Sequence, residues 1–254
     1  WDNLSTDKSK KIIFCFSDSR IKYYSSKTHL KLYKARNEAL KNVKGELIAF
    51  LDVDDYWEIQ KLEEQVNIFI KNPDTDVVYS NYKILKDSNL LRRRRSIFKL
   101  PEGYIANKLL KNYCIGLLTI MIKAETLQKS NKRFNEKFEI VGDFALMLEL
   151  SINCKFKAIQ KSLATYRIHQ DNISHNKLEE AKELLIWYNE NKHIKDFSEL
   201  ENLNFFLQKI KYIKILSNIK KLNLGYIIKY CKELNYYNLK FRLLYQYFLN
   251  KFNI

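Results

Sequence analysis

The chain has 254 residues, of which 46% are hydrophobic and 29% charged, and its formal net charge is +16. That length and apolar content suit one large domain, or one domain with an appendage, and exclude a globally disordered chain. The positive excess favours an acidic partner (nucleic acid, an anionic membrane surface or a phosphorylated ligand) without choosing among them.

The first third alternates strand and helix signals. "KIIFCF" (11–16) is a short apolar run, and "RIKYYSS" (20–26) follows "SDS". Leu32, Ala35, Ala39, Leu40 and Val43 fall near helical spacing, with Gly45 as a stop. "ELIAFL" (46–51) is apolar through its centre without alternation, which predicts a central strand buried on both faces of a mostly parallel sheet. Asp52, Asp54 and Asp55 stand directly behind it. Leu62, Val66, Phe69 and Ile70 then repeat as one face of an amphipathic helix, ended by "NPD" (72–74), and "DVVYSNY" (76–82) reads as another strand. This alternation predicts an open α/β sheet.

Farther along, "LLRRRR" (90–95) reads as a charged loop, "YIANKLLKN" (104–112) as a helix, "LLTIMIK" (117–123) as a strand and "AETLQK" as a short helix. "DFALMLELSI" (143–152) is helical, while "KFKAIQ" and "LATYRIH" look extended. From about residue 177 Gly and Pro almost vanish, and segments 178–192, 198–217, 224–233 and 236–252 read as helices. Between Phe205 and Ile254 ten lysines and arginines face one acid, Glu233. The boundary is therefore set near 177, giving regions 1–176 and 177–254.

Four cysteines (Cys15, Cys114, Cys154, Cys231) lie far apart with no zinc-ligand spacing, and read as reduced thiols of a cytosolic protein. No signal peptide is visible, and the best apolar run, "IGLLTIMI" (115–122), falls far short of the roughly 18 residues of a membrane span.

Three carboxylates within four positions repel one another unless water or a cation relieves them. In open α/β sheets ligands bind beyond the carboxyl ends of the strands, where "FLDVDDYW" (50–57) would stand. Mg²⁺ or Mn²⁺ takes one or two protein carboxylates and completes its shell with phosphate oxygens and water. The bland alternative is a turn in which Asp54 or Asp55 caps a helix starting near Tyr56. For Asp143, at the head of a predicted helix, it is an N-cap. For His169 it is an ordinary polar residue at a strand end.

Five blocks in order, "DNLSTD" (2–7), "ARN" (35–37), "GELIAFLDVDDYW" (45–57), "GDFALML" (142–148) and "YRIHQDNIS" (166–174), resemble the family 2 glycosyltransferases across roughly residues 2–175. The resemblance implies the GT-A nucleotide-sugar-binding fold, a Rossmann-like sheet flanked by helices, with the helical region after it. It implies an inverting, hexosyltransferase-type enzyme using a nucleotide donor. Asp2 would bond the base, Arg36 would lie near the nucleotide or phosphates, and Asp52 and Asp54 would contact the ribose and a diphosphate-held Mn²⁺ or Mg²⁺. His169 would lie near the diphosphate or its metal, and Asp143 would be the catalytic base. Two departures stand out. The family often has Glu-Asp where Gly142-Asp143 stands, with Ala145 and Glu149 at other family positions. Its first strand and helix, roughly 30–40 residues by the size of a βαβ unit, would precede Trp1, so the chain is expected to be N-terminally incomplete.

Arg92, Arg93, Arg94 and Arg95 could contact the phosphates of a lipid-linked acceptor or form a solvated loop. The basic, aromatic C-terminal helices fit packing on the core, docking on an anionic membrane, or both. The expected activity is sugar transfer, with a UDP-sugar as donor, to a lipid-linked or cell-surface glycan precursor by a cytoplasmic protein on the inner membrane face. The competing readings are a non-catalytic glycan- or nucleotide-binding module and a basic nucleic-acid-binding protein. The latter leaves "DVDD" unexplained.

Overall fold

The computed structural model describes residues 1–86, 89–170, 172–219 and 222–252. Its sheet has six strands: β1 (Leu47–Ala49), β2 (Tyr56–Trp57), β3 (Val77–Lys86), β4 (Asn89–Arg94), β5 (Met121–Lys123) and β6 (Phe156–Ile168). Their order is β1-β5-β3-β6-β2, with β4 paired to β3. Helices flank the sheet, so the α/β class holds, but the sheet is mixed where a mostly parallel one was expected. Only β3 and β6 pair in parallel, while β5 runs against both β1 and β3. β1, β3 and β6 therefore share one direction. A parallel neighbour requires a crossover. The chain between β3 and β6 supplies one, through α4 (Ala106–Lys111), α5 (Ala124–Ser130) and α6 (Gly142–Asn153).

β1 is half-buried and stands at one end of this order. Ile48 enters the main core, whereas Leu47 and Ala49 pack on the opposite face with Phe69, Val78 and Met121. Both faces are covered as expected, but the strand is not central. The "KIIFCF" run belongs to a short helix, α1 (Ser9–Phe14), with no buried residue. α2 (Leu32–Leu40) stops before Gly45. α3 (Lys61–Lys71) buries Lys61, Gln65 and Phe69, leaving Leu62 and Ile70 exposed. Its buried stripe is thus offset from the apolar one. The run expected as a charged loop is strand β4, paired antiparallel to β3 from Lys83↔Arg94 to Lys86↔Asn89.

The four C-terminal segments correspond to α7 (Lys177–Asn191), α9 (Leu203–Asn218), α10 (Leu224–Glu233) and α11 (Tyr237–Phe252), and a short further helix, α8 (Lys195–Ser198), lies between the first two. The composition change near 177 marks a change in secondary structure, not in core. Phe144 of α6 stacks on Phe206 of α9 at 5.3 Å and meets the Trp187 edge at 5.5 Å. Truncating such a buried aromatic costs about 3–5 kcal/mol, so α7 to α9 are tied firmly to the sheet domain. A second cluster, including Phe205, Ile215, Ile227, Leu239 and Leu243, joins the far end of α9 to α10 and α11.

Candidate active site

A cavity of about 650 Å³ opens beyond the ends of β1 and β6 and beside the head of α6. Arg36, Asp52, Asp54, Arg95, Asp143 and His169 all line it. Elements far apart in sequence meet there because β1, β3 and β6 share a direction and end on one rim.

The acid loop begins at the end of β1, and the Asp55 N–H donates to the Asp52 carbonyl at 3.1 Å, closing a turn. Each acid has its own partner. Arg36 donates from Nη2 to both Asp52 oxygens, at 2.8 and 2.7 Å. Its guanidinium lies over the Tyr33 ring at 5.4 Å. Asp54 Oδ2 lies 2.8 Å from His169 Nε2. Asn172 accepts the His169 backbone N–H at 2.6 Å and reaches the imidazole at 3.2 Å. Asp55 turns inward and accepts the Arg167 N–H at 3.0 Å, tying the loop to β6. Burial pushes its pKa up to about 7, opposed by the Arg167 N–H and reinforced by Asp54 and Asp52. The helix-capping alternative fails: β2 follows the loop, and α3 starts only at Lys61 without a side-chain cap.

Three residues that the sequence did not single out support this loop. The Trp57 indole donates to the Leu118 carbonyl at 2.8 Å. The fully buried Lys61 ammonium sits 4.1 Å from the Trp57 ring and donates to Gln65 at 2.7 Å. Gln65 donates to the Val78 and Thr119 carbonyls. Burial pushes the Lys61 pKa down to about 7. Lys61 and Gln65 stand at i and i+4 on one face of α3, and that polar pair was the available signal.

Asp143 is the second residue of α6 and is half-buried. The N-cap is Val141, so Asp143 is not the cap. The Tyr33 hydroxyl donates to the Ile140 carbonyl at 2.8 Å and lies 3.2 Å from Asp143 Oδ1. Burial raises the Asp143 pKa, while the Arg36 charge, the Phe144 N–H and Tyr33 pull it down. A Cβ at Gly142 would lie 2.6 Å from the Tyr33 ring, which is buried and cannot swing away. The glycine that departs from the family pattern therefore makes room for this tyrosine. The buried Glu183 carboxylate of α7, also unanticipated, accepts the N–H groups of Glu139, Ile140 and Val141 at 2.7, 2.9 and 3.0 Å. The C-terminal region thus holds the loop that presents Asp143.

Asp2 does not line the cavity; its carboxylate accepts the Tyr23 hydroxyl at 2.5 Å and the Ser5 N–H at 2.7 Å. The Arg92, Arg93 and Arg94 side chains lie outside the described residues. Among the described residues no group of three or more His, Cys, Asp or Glu side chains could hold a metal ion. Asp52 is engaged by Arg36, leaving Asp54 and His169 as a carboxylate–imidazole pair. Such a pair fits a divalent ion whose other ligands are diphosphate oxygens and water.

The sequence profile described as Glycosyl transferase family 2 matches residues 1–151. UDP-Glc:alpha-D-GlcNAc-diphosphoundecaprenol beta-1,3-glucosyltransferase WfgD of Escherichia coli is 35% identical over 71% of this chain and 69% of its own length. WfaP, an Escherichia coli enzyme of the same description, is 32% identical over 70% of this chain and 68% of its own. Among solved structures, S. aureus TarS 1-349 in complex with UDP superposes with a TM-score of 0.65 at 16% identity, covering 91% of this chain and 67% of that one. At that identity the likeness speaks for the fold alone.

Proposed function

The chain belongs to glycosyl transferase family 2 and is a glycosyltransferase, and on that premise we propose that it moves a sugar, with inversion, from a UDP-sugar to a saccharide carried on a lipid diphosphate. The donor and acceptor classes rest on the names of WfgD and WfaP, whose printed substrates are a UDP-sugar and a diphosphoundecaprenol-linked sugar. The observation that carries the reading is one cavity holding both halves of the chemistry: Asp143 with its raised pKa, and the Arg36–Asp52 and Asp54–His169 pairs.

Inversion needs a base on the face opposite the leaving group. Asp143 takes the acceptor hydroxyl's proton on its carboxylate as that oxygen bonds to the sugar carbon. Its raised pKa makes it a better base than an exposed aspartate. Arg36 meets the donor's nucleotide or phosphates, with Asp52 holding its guanidinium in place. Asp54 and His169 would hold the divalent ion, which when bound offsets the charge developing on the departing diphosphate. Asp55 anchors the loop to β6 so that its neighbours face the cavity.

No helix among the described residues is long and apolar enough to cross a membrane. Phe241, Tyr245 and Phe248 nevertheless lie exposed along one face of α11, opposite the buried Leu239, Leu243 and Tyr247. Exposed aromatics on a basic helix suit the interface of an anionic bilayer, so the enzyme works at the membrane surface where a lipid-linked acceptor resides.

Calorimetry with UDP, with and without Mn²⁺, tests the donor half. Metal-dependent binding is expected, whereas salt-sensitive binding to any polyanion with no preference for UDP would sink the reading.

A further inference from the structure

Three cations gather behind the point where Arg95 lines the cavity, and among the described residues no carboxylate is bonded to any of them. Arg95 lines the cavity, and its backbone N–H donates to the Tyr82 carbonyl at 2.8 Å, which fixes it opposite β3. Among the described residues its guanidinium bonds neutral oxygens: the Tyr82 hydroxyl at 3.2 Å and the Tyr113 carbonyl at 3.5 Å. Lys209 of α9 donates to the Lys111 carbonyl at 3.5 Å. The two cations thus rest on carbonyls two residues apart, on the segment leaving α4. The third is Arg242 of α11, the helix whose Leu239 and Leu243 pack on Phe205 and Ile215 of α9. Burial first, then the Arg95 charge, and also that of Arg242, push the Lys209 pKa down, while Glu180 pulls it up. Glu180 is already paired with Lys177 at 2.6 Å. Among the described residues no ion pair involves Arg95, Lys209 or Arg242.

A like-charged cluster is unfavourable until a counter-ion relieves it. We propose that Arg95, Lys209 and Arg242 form an anion-binding subsite that takes the phosphates of the lipid-linked acceptor. The proposal rests on the acceptor class given above. Its position follows from its neighbours. The Tyr113 that holds Arg95 packs on Phe144 at 5.1 Å, next in sequence to Asp143. The cluster therefore lies on the side of the base. The donor's diphosphate has its own partners in Arg36, Asp54 and His169, which are already engaged in carboxylate pairs. An acceptor whose hydroxyl meets Asp143 carries its phosphate at the other end of its sugar, where Arg95 is the available cavity-lining cation. Arg242 adjoins Phe241, which is 72% exposed on the aromatic face of α11. A lipid chain leaving the phosphate along that face would reach the bilayer directly. Guanidinium groups suit this task because they bond two phosphate oxygens at once.

The experiment compares two acceptors with UDP-glucose as donor: N-acetylglucosaminyl diphosphate on a short alkyl chain, and the neutral alkyl N-acetylglucosaminide. The readout is the ratio of kcat/KM between them, for the full chain and for Arg95→Gln, Lys209→Gln and Arg242→Gln. The ratio is expected to fall about tenfold in each variant through the KM of the phosphorylated acceptor, and further in the Lys209→Gln/Arg242→Gln double variant. An unchanged ratio overturns the proposal. If the unaltered chain uses neither acceptor, the acceptor reading fails, and the subsite is then tested by calorimetry with ethyl diphosphate. Loss of that binding in the variants supports the subsite, and unchanged or absent binding overturns it. Flotation with phosphatidylglycerol vesicles distinguishes a headgroup site. If the variants lose vesicle binding but keep the acceptor ratio, the cations serve the membrane and the proposal is overturned.

Discussion

The cavity has two charged rims that solve the same electrostatic problem differently. On the acid rim, Asp52, Asp54 and Asp55 are crowded, and each carries its own relief: Arg36, the His169–Asn172 pair, and the Arg167 N–H with burial favouring protonation. On the basic rim, Arg95 and Lys209 rest on neutral oxygens, and Arg242 bears on Lys209 through space. The first rim is assembled before any ligand arrives, so on the proposed reading a donor with a divalent ion would need only to exchange partners already present. The second has charge left over, and an anion that binds it relieves repulsion the protein has not balanced. Asp143 stands between them.

The sharpest way to break this comparison is to remove that middle carboxylate. Asp143→Asn keeps the side chain's shape and its contact with Tyr33 but cannot accept the acceptor's proton. Turnover is expected to fall on the order of 10²–10⁴-fold, with UDP affinity and acceptor KM little changed. Single-turnover kinetics beside calorimetry checks this. A variant that turned over normally would move the base elsewhere, and one that lost UDP binding would merge Asp143 with the acid rim.

A smaller effect is expected where the C-terminal region grips the loop before Asp143. Glu183→Gln leaves one oxygen to serve three backbone N–H groups and introduces an amide where only an acceptor fits. Such a loss costs about 1–3 kcal/mol and should lower the melting temperature by several degrees. It should also lower kcat more than it raises the KM for donor, because the displaced loop carries the proposed base. Equal stability with unaltered kcat would show that α7 does not position this loop.

The acid rim was legible in the sequence because its three carboxylates are neighbours behind an apolar strand. Arg36, Asp143 and His169 were legible through the ordered family blocks. Of the basic rim the arginine run offered Arg95 alone, while Lys209 and Arg242 were hidden, since positions 95, 209 and 242 meet only after α9 and α11 fold back on α4 and β3. Lys61 and Gln65 were hidden for a different reason. Apolar periodicity assigned α3 an apolar face, yet polar residues occupy the buried stripe, where Trp57 and two carbonyls satisfy them. The arginine run read as a loop because its charges masked an edge strand whose pairing is made by backbone groups. Glu183 lies in a segment whose composition marks only a basic helical region, and nothing local points to the loop it holds.

The smallest predicted effect isolates how the acid rim balances itself. Asp55 has its pKa raised from the ordinary 3.8 to about 7, first by burial. The folded state therefore binds this proton more tightly than the unfolded state does. The stability tied to it is fully present below about pH 4 and is lost as the pH rises to about 7. Asp55→Asn keeps an oxygen to accept the Arg167 N–H and removes the ionisation. The variant should melt above the parent at pH 8, by an amount on the order of 1–3 kcal/mol, with the difference shrinking toward pH 5. Paired thermal melts at the two pH values, without divalent metal, read this directly. If the parent instead gained stability relative to Asp55→Asn on going from pH 5 to pH 8, the ionised carboxylate would be the favoured form. The acid rim would then need an outside cation as much as the basic rim needs an anion.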